Sequence, residues 1–383
     1  MALELPLDRA RPLPASVYLD PEVLAFERAT IFRERWLSAG READAVVPGA
    51  FFRPPHTDDI IVVRGADLAL RAFFNVCRHR ASLLTCDLQG RIARFECPYH
   101  GWTYELDGRL RAAPHAPRHL DTSSAGLLPL ALRTGNGFVF CRAKADDVSE
   151  ADGTGKQPNE LDDPWAGAPP WLRDTELRHV VRAHRSEWVT AANWKLLVEN
   201  FQESHHFTRV HRGLEQLTPN DGARSWLTDS PWMGGVMPLA DDAETVSTTG
   251  LRRTRPFIVP EPLRRAVHDA VLFPTLLTSL QPDYLLTYRL VPERVDRTRV
   301  VFDIFVHPEA ARGAPSDPAD TSGLDEVVSF WAQVNAEDRA ICEGQQRGMA
   351  APGYRPLCFA TVEDGVFSFQ RKVAAAYAGA TKS

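Results

Sequence analysis

Two short groups of cysteine and histidine carry the clearest chemical signal in this chain of 383 residues. Cys77 and His79 form a Cys-x-His pair, and Cys97 and His100 form a Cys-x-x-His pair after an interval of seventeen residues. Thiolate sulfur and imidazole nitrogen are ligands for iron–sulfur clusters and for zinc. The four side chains therefore predict a metal centre held by two loops.

The order of the ligands distinguishes between these metals. A Rieske [2Fe–2S] centre has two thiolates on one iron and two imidazoles on the other. Zinc modules more often group their ligands as Cys-Cys and then His-His. The interleaved Cys-His pairs favour the iron–sulfur cluster, with a Cys2His2 zinc site as the alternative. Residues 101–104, Gly-Trp-Thr-Tyr, add a glycine for a tight bend and aromatic rings that shield a cluster from water.

With these loops, the chain resembles the α subunits of the Rieske non-haem iron oxygenases, the aromatic-ring-hydroxylating dioxygenase family. The resemblance implies an α+β protein with a small all-β Rieske domain. It also implies a helix-grip (START-like) catalytic domain, in which an antiparallel sheet wraps over a long C-terminal helix around a mononuclear Fe(II) that uses O2. Ala81 departs from the family, which commonly has glycine after the Cys-x-His-Arg run, and this affects the backbone preference of the loop.

The family's iron motif matches residues 193–211, NWKLLVENFQESHHFTRVH. An Asn-Trp-Lys leader precedes an acid-x-x-His group, Glu203 and His206, and a second histidine, His211. Two histidines and a carboxylate form a facial triad that binds Fe(II) and leaves positions open for O2 and substrate. His206 and His211 are therefore predicted iron ligands. His205 is rotated by about 100° on a helix and should point elsewhere, and the helix must end or bulge before His211, which lies about 140° from His206.

The third iron ligand is predicted on a helix near the C-terminus, at Asp338. One face of this helix is defined by Val327, Phe330, Trp331, Val334 and Ile341. Asp338 lies near the middle of that face, and a buried carboxylate is costly unless it is paired or bound to metal. Glu337 is expected to face solvent. The family's C-terminal ligand lies in an acidic-Asp pair ahead of a C-E-x-x-Q-x-G run, matched by Cys342, Glu343, Gln346 and Gly348. The alternative is an Asp338 carboxylate paired with an arginine.

Glu203 has a different role by resemblance. The family's acid at this position lies between the mononuclear iron and the cluster histidine of the neighbouring subunit. Most members have Asp there, and the longer Glu resembles members that act on quaternary-ammonium compounds. Electrons from NAD(P)H are expected through a separate flavin and iron–sulfur reductase, because no GxGxxG follows a strand and opens a helix in this chain.

Composition predicts a soluble, cytoplasmic protein. The chain is 44% hydrophobic and 25% charged, which is an ordinary globular balance. It has no signal-peptide pattern and no run of about 18 apolar residues, so no membrane association is expected. The net charge of −6 is spread over acidic and basic segments alike and predicts no nucleic-acid partner. Six cysteines are too few for a disulfide framework in a chain this long.

The pattern divides the chain into four segments. Residues 1–44 are predicted as an arm and a helix that packs on the catalytic core, and 45–145 as the Rieske domain. Residues 146–175, rich in acids, glycine and proline, are predicted as a linker. Residues 176–383 are predicted as the catalytic iron domain.

Periodicity and turn signals also predict individual elements. Helices are predicted over residues 20–40, 186–208 and 324–349. Strands are predicted over residues 60–64, 68–74, 91–96, 103–106, 137–142, 284–291 and 299–306, with a hairpin turn at Asp107-Gly108.

The expected reaction is monooxygenation of a small molecule, by hydroxylation or oxidative N-demethylation of a betaine-like quaternary-ammonium compound. Glu203 and segments 231–235 and 281–290 resemble that branch of the family. Three aromatic residues are candidates for a cation-binding face, with core positions as the alternative: Trp226, Trp232 and Phe257. The alternative reaction is cis-dihydroxylation of an aromatic ring. A further alternative is a Rieske electron-transfer protein without oxygenase activity.

The expected assembly is a cyclic homotrimer. A cluster and an iron in separately packed domains would be far apart within one chain, and the family brings them close across a head-to-tail interface. A heterologous interface of this kind closes into a ring when its rotation allows.

Overall fold

The computed structural model describes residues 5–143, 163–252, 256–312 and 322–380. The chain forms two compact units. The small unit comprises Arg33–Pro164, and the large unit comprises Met1–Phe32 and Trp165–Ser383. Residues 146–162 of the predicted linker lie outside the described residues. No helix in the described ranges is both long enough and apolar enough to cross a membrane.

Two helices open the chain, α1 (Ser16–Leu19) and α2 (Pro21–Glu34). The Asp20 carboxylate accepts a hydrogen bond from the Glu22 amide at 2.9 Å, and proline suits the first helical position. The prediction of a helix as far as Gly40 is wrong. Leu37–Arg41 forms a fully buried strand, β1, and a Cβ at Gly40 would lie 2.8 Å from the Phe52 ring. Residues 33–44 consequently lie in the small unit, not with the catalytic core as predicted.

The small unit is built from antiparallel strands. After β1 they are β2 (Ala50–Phe52), β3 (Ile60–Arg64), β4 (Leu70–Phe74), β5 (Gln89–Arg91), β6 (Phe95–Glu96), β7 (Thr103–Tyr104), β8 (Leu110–Ala112), β9 (Pro129–Gly135) and β10 (Phe138–Arg142). Seven of them form a sheet in the order β1-β10-β9-β4-β3-β2-β5, and β6-β7-β8 form a second sheet. The predicted turn at Asp107-Gly108 joins β7 to β8, with φ of +87° at the glycine.

The large unit contains a seven-stranded antiparallel sheet and the remaining helices. The strands are β11 (Val181–Thr190), β12 (Arg224–Leu227), β13 (Trp232–Pro238), β14 (Ala266–Leu272), β15 (Leu276–Leu280), β16 (Tyr284–Arg294) and β17 (Arg297–Val306), in the order β11-β17-β16-β15-β14-β13-β12. The helices are α3 (Pro170–Asp174), α4 (Trp194–Phe201), α5 (Arg212–Leu217), α6 (Ser322–Met349) and α7 (Asp364–Ala380). Together the units have the predicted α+β class.

The predicted helix over 186–208 is wrong in its first part. Residues as far as Thr190 belong to β11, which pairs with β17 along its whole length. Trp188, Val189 and Thr190 are aromatic or β-branched and favour a strand that packs on its neighbours. The helix begins only at Trp194, where the Asn193 side chain caps it by accepting from the Lys195 amide at 3.1 Å.

A buried ion pair connects α2 to α4. The Lys195 ammonium and the Glu27 carboxylate are fully buried and lie 2.6 Å apart. Glu27 Oε2 accepts from the Trp194 indole at 2.9 Å. The Tyr377 hydroxyl of α7 donates to Glu27 Oε1, the oxygen that pairs with Lys195. Two residues of the Asn-Trp-Lys leader therefore bind one carboxylate, which fixes the start of α4. Breaking a buried pair of this kind typically costs about 3–5 kcal/mol.

Long helix α6 is fixed against the sheet by two hydrogen bonds one helical turn apart. The Trp331 indole donates to the Tyr284 hydroxyl at 2.8 Å, and the Tyr288 hydroxyl donates to the Asn335 amide oxygen at 3.0 Å. Tyr284 and Tyr288 are likewise four residues apart, on β16. These two hydrogen bonds set the rotation of α6 about its axis, and hence the direction in which Asp338 points.

Candidate metal centres

Two tight loops in the small unit present the predicted cluster ligands. Cys77 and Cys97 are buried, while His79 and His100 lie at the surface of the unit. The Ala81 amide donates to the Cys77 carbonyl at 3.1 Å, and the Gly101 amide donates to the Cys97 carbonyl at 3.0 Å. Ala81 has φ of +58° and Gly101 has φ of +69°. The left-handed backbone explains why glycine suits this position, and alanine there costs about 1 kcal/mol.

The four side chains of these loops are arranged as two pairs. The imidazole centroids of His79 and His100 lie 4.7 Å apart, and Cys77 is a hydrogen-bond partner of Cys97. Binding of a single ion would require ligand atoms within 4.8 Å of one another. No three of these four side chains meet that condition. A cysteine pair and a histidine pair fit a two-iron cluster better than one tetrahedral zinc.

Aromatic rings and backbone amides surround the pairs. Trp102 stacks on His79, with centroids 4.9 Å apart and planes 4° from parallel. The Tyr104 hydroxyl lies 3.3 Å from the Cys77 sulfur. Burial raises the pKa of Cys97, but hydrogen bonds from the Tyr99 and His100 amides outweigh it, so the pKa is lowered. The loop therefore favours the thiolate, which is the form that binds metal.

The large unit brings His206, His211 and Asp338 together. One ligand atom from each lies within 4.8 Å of the others, and this is the single such group in the described part of the chain. Asp338 Oδ1 lies 2.7 Å from His211 Nε2 and 3.5 Å from His206 Nε2. Two nitrogens and one carboxylate oxygen match the donor set of a non-haem Fe(II) site with open positions.

Irregular backbone after α4 allows both histidines to face one point. Helix α4 ends at Phe201, and His205–Thr208 forms a short 3₁₀ turn. The break required before the second histidine falls at His211 itself, where φ is −114° and ψ is 65°, and α5 begins at the next residue. His205 is exposed and lies outside the group of three, in agreement with the prediction.

Helix α6 carries Asp338 on a buried stripe, which contains Val327, Trp331, Val334 and Cys342. The stripe departs from the prediction at Ile341, which is 40% exposed, because Cys342 takes its place against the Leu196 carbonyl. The C-E-x-x-Q run docks α6 near the start of α4. Glu343 accepts from the Ala191 amide at 3.0 Å, and Gln346 accepts from the Asn193 amide at 2.8 Å.

The expectation that Glu337 faces solvent is wrong. Glu337 Oε2 lies 2.7 Å from His211 Nδ1, and its other oxygen accepts from Gln333 at 2.9 Å. Glu203 Oε1 lies 2.6 Å from His206 Nδ1. Each histidine thus has a carboxylate on Nδ1, which holds the tautomer that leaves Nε2 free for a metal.

The three carboxylates set the charge of the site. Burial alone lowers the pKa of His206, but hydrogen bonds with Asp338 and Glu203 outweigh it and raise the pKa to about 9. The pKa of His211 is raised in the same way, by Asp338 and then Glu337, against burial. Burial raises the pKa of Asp338, yet both imidazoles outweigh it and lower the pKa. The site therefore favours protonated imidazoles beside the carboxylates when no metal is bound.

A cavity of about 450 Å³ opens onto this group and is large enough for a small molecule. Aromatic rings in its wall are Trp188, Phe201, Phe207, Tyr288 and Trp331. The predicted aromatic candidates do not line it. Trp232 is fully buried and stacks on Trp165, Phe257 lies between the guanidinium groups of Arg252 and Arg264, and Trp226 packs on Gly234.

Several polar residues at the cavity were not predicted. They are Asn200, Asp269 and Tyr288. Asn200 lies one turn before Glu203 and places its amide 3.4 Å from His206 Nε2. The position of Asn200 in α4, the helix that leads to the iron motif, could have identified it as a candidate site residue from the sequence. Asp269 and Tyr288 lie on strands whose order in the sheet the sequence does not reveal.

Residues 177–379 match the family model "Ring hydroxylating alpha subunit (catalytic domain)", and residues 40–129 match "Rieske [2Fe-2S] domain". The chain belongs to this Rieske oxygenase family. It is 31% identical to the glycine betaine monooxygenase oxygenase subunit of Chromohalobacter salexigens, over 93% of this chain and 84% of the relative. It is 26% identical to the chloroplastic choline monooxygenase of Beta vulgaris, over 96% of this chain and 77% of the relative.

A solved structure shares the same fold. The quaternary ammonium Rieske monooxygenase CntA, in complex with an inhibitor, superposes with a TM-score of 0.79 and 22% identity over 98% of this chain and 97% of that one. Membership of the Rieske oxygenase family makes this protein an oxidoreductase, the oxygenase subunit of its system. The family uses a Rieske [2Fe–2S] cluster, a mononuclear non-haem iron and O2.

We expect Glu337→Gln to weaken retention of the mononuclear iron by about 10- to 100-fold, because an amide accepts more weakly from His211 Nδ1 than a carboxylate does. The measurement is the loss of iron to a chelator over time, with the visible absorbance of the cluster as an internal reference. Glu326→Gln, the same change on α6 beside Thr249, serves as the control. Equal iron retention in Glu337→Gln and wild type would contradict a role for Glu337.

Proposed function

We propose that this Rieske oxygenase binds its mononuclear iron through His206, His211 and Asp338 and monooxygenates a small quaternary-ammonium compound. The observation that carries the proposal is the convergence of these three side chains in the wall of one cavity. A protein that only transfers electrons has no use for such a group. The cluster ligands in the same proposal are Cys77, His79, Cys97 and His100.

The bound iron supplies activation of O2 with electrons delivered by the cluster. The protein's own groups prepare this site. Glu203 and Glu337 each hold the Nδ1 of one histidine, so both Nε2 atoms point at one place. Glu203 also accepts from the His206 backbone amide at 3.1 Å, which ties the carboxylate to the turn that carries the histidine. The aromatic side chains give the cavity an apolar wall beside these ligands, and the cavity provides room for a substrate.

Two of the relatives are named for glycine betaine and choline, which both carry a trimethylammonium group. Hydroxylation of an N-methyl carbon leaves an N-hydroxymethyl group, which releases formaldehyde and the demethylated amine. Aromatic rings attract such a cation through their π faces, and five rings line this cavity. This combination supports an ammonium substrate over an aromatic hydrocarbon, and hence monooxygenation over cis-dihydroxylation.

The proposal extends to assembly and electron supply. A separate flavin and iron–sulfur reductase delivers the electrons, because the two family models matched by this chain include no reductase domain. The active species is a cyclic homotrimer in which the cluster of one subunit serves the iron of the next. Glu203 is then the residue at the subunit interface: its side chain is 15% exposed and holds His206. The relevant compartment in this proposal is the cytoplasm.

A substrate screen tests the reaction. With a surrogate Rieske reductase, NADH and O2, we expect formaldehyde from glycine betaine, carnitine or another N-methylated ammonium compound, in step with NADH consumption. His211→Ala, which removes one predicted iron ligand, should give none. A cis-diol from naphthalene, with no product from any ammonium compound, would contradict the proposal and favour dihydroxylation.

Mixed oligomers test the assembly. Cys97→Ser without a cluster and His206→Ala without the iron should each be inactive. Co-expression of the two in equal amounts should restore about a quarter of wild-type activity, because each mixed trimer contains one competent head-to-tail pair out of three. Complete absence of activity in oligomers verified to contain both variants would rule out transfer between subunits.

A further inference from the structure

Asp269 is an acidic side chain in the cavity wall that has no role in holding either metal. It lies on β14, opposite Gly235 of β13 and Ser279 of β15. Side chains alternate along a strand, so Asp269 shares a face with Val267 and Val271, both of which pack in the main core of the large unit. The carboxylate therefore points to the inner face of the sheet, where it lines the cavity together with His206 and Asp338.

Asp269 forms no ion pair with a lysine or arginine among the described residues. Its Oδ1 is shut off from solvent with no hydrogen-bond partner in the part of the chain that the structure describes. Burial raises the pKa of this carboxyl to about 7, and a hydrogen bond with the Ser279 side chain offsets only part of the effect. A desolvated carboxylate without a cation is unfavourable, so it either takes up a proton or is stabilised by the positive charge of another molecule.

The cavity extends beside Asp269, which is partly accessible as a residue although its Oδ1 is not. Gly235, directly across the strand pair, places no side chain there, and a Cβ at Gly235 would meet only the Arg224 carbonyl at 3.3 Å. Gly234 is different, since a Cβ there would lie 2.0 Å from the Asp269 carbonyl. Gly234 is therefore required by strand packing, whereas the missing side chain at Gly235 adds room to the cavity.

Tyr288 relates Asp269 to the iron-ligand group. It lines the same cavity as Asp269 and Asp338, and after burial the charges of Asp338 and Asp269 are the next causes that raise its pKa. A cation bound at Asp269 would thus share the cavity with an aromatic ring and with the ligand group. The arginines in the cavity wall, Arg224 and Arg339, are both exposed, so neither guanidinium occupies the inner position.

We propose that Asp269 is the counter-ion for the ammonium group of the substrate and makes the cavity select a cation over a neutral molecule of the same shape. This inference rests on the proposed function and assigns the residue that would determine its specificity. Charge attraction to Asp269 and π attraction to Tyr288 act on the same head group. An anionic end of the substrate would lie toward the exposed arginines.

The test uses two probes of equal shape, choline and its neutral isostere 3,3-dimethylbutan-1-ol, with dissociation constants measured on the metal-loaded protein by calorimetry. We expect wild type to prefer choline by about tenfold or more, and Asp269→Asn to bring the two constants within about a factor of two. Asp269→Glu should keep part of the preference. Asp296→Asn, which removes an exposed carboxylate at the β16–β17 turn, should leave the preference unchanged.

A second variant keeps the test decisive if Asp269→Asn does not fold. Gly235→Val leaves the carboxylate in place and fills the space before it, so it should weaken both probes to a similar extent. An unchanged preference for choline in folded Asp269→Asn, or undiminished choline binding in Gly235→Val, would overturn the assignment of Asp269. If wild type binds no ammonium compound at all, both the proposed function and the role of Asp269 are contradicted. If ammonium compounds bind equally well to wild type and Asp269→Asn, only the role of Asp269 is contradicted.

Discussion

The large unit depends on one geometric constraint: side chains separated by 127 residues in sequence must meet at a single point. His206 and His211 come from an irregular turn after α4, and Asp338 comes from the middle of α6. Neither segment can adjust freely, because each ligand atom must lie within 4.8 Å of the other two. The remaining packing of the unit is best understood as the means by which α4 and α6 are held in place.

Two sets of buried polar contacts provide that hold. Glu27 binds both Trp194 and Lys195, so α2 fixes the beginning of α4. Gln346 and Glu343 join α6 to the residues just before α4, while Trp331 and Asn335 fix its rotation against β16. Buried polar networks that are fully paired are rigid and specify one arrangement. The same rigidity is what an iron site with three protein ligands requires.

Charge at the site is balanced by protons when metal is absent. The pKa of His206 is raised to about 9, above its usual value of 6.5. Its protonation therefore stabilises the metal-free fold fully below about pH 6.5, and this contribution is lost as the pH rises through about 9. A metal bound at Nε2 must displace this proton, so binding is coupled to proton release and weakens in acid.

The candidate ligand residues could be recognised from local spacing within each motif, whereas their surroundings depend on tertiary contacts. The five-residue step from His206 to His211 implied a backbone break, and the structure has one. The prediction that Glu337 faces solvent was wrong because a helical projection of α6 alone does not show the contact between Glu337 and His211. The β11 residues were misread as helix because their pairing with β17 involves residues more than 100 positions away. The cavity wall was missed for the same reason, since sheet order decides that Asp269 faces inward while Trp232 is enclosed.

Metal and sulfide analysis of wild type and His206→Ala tests most directly the claim that this chain holds two separate iron centres. We expect about three irons and about two acid-labile sulfides per wild-type chain. His206→Ala should retain about two irons and the visible spectrum of the cluster, because the mononuclear ligands lie in the other unit. Zinc without sulfide in wild type, or loss of the cluster spectrum in His206→Ala, would contradict the account.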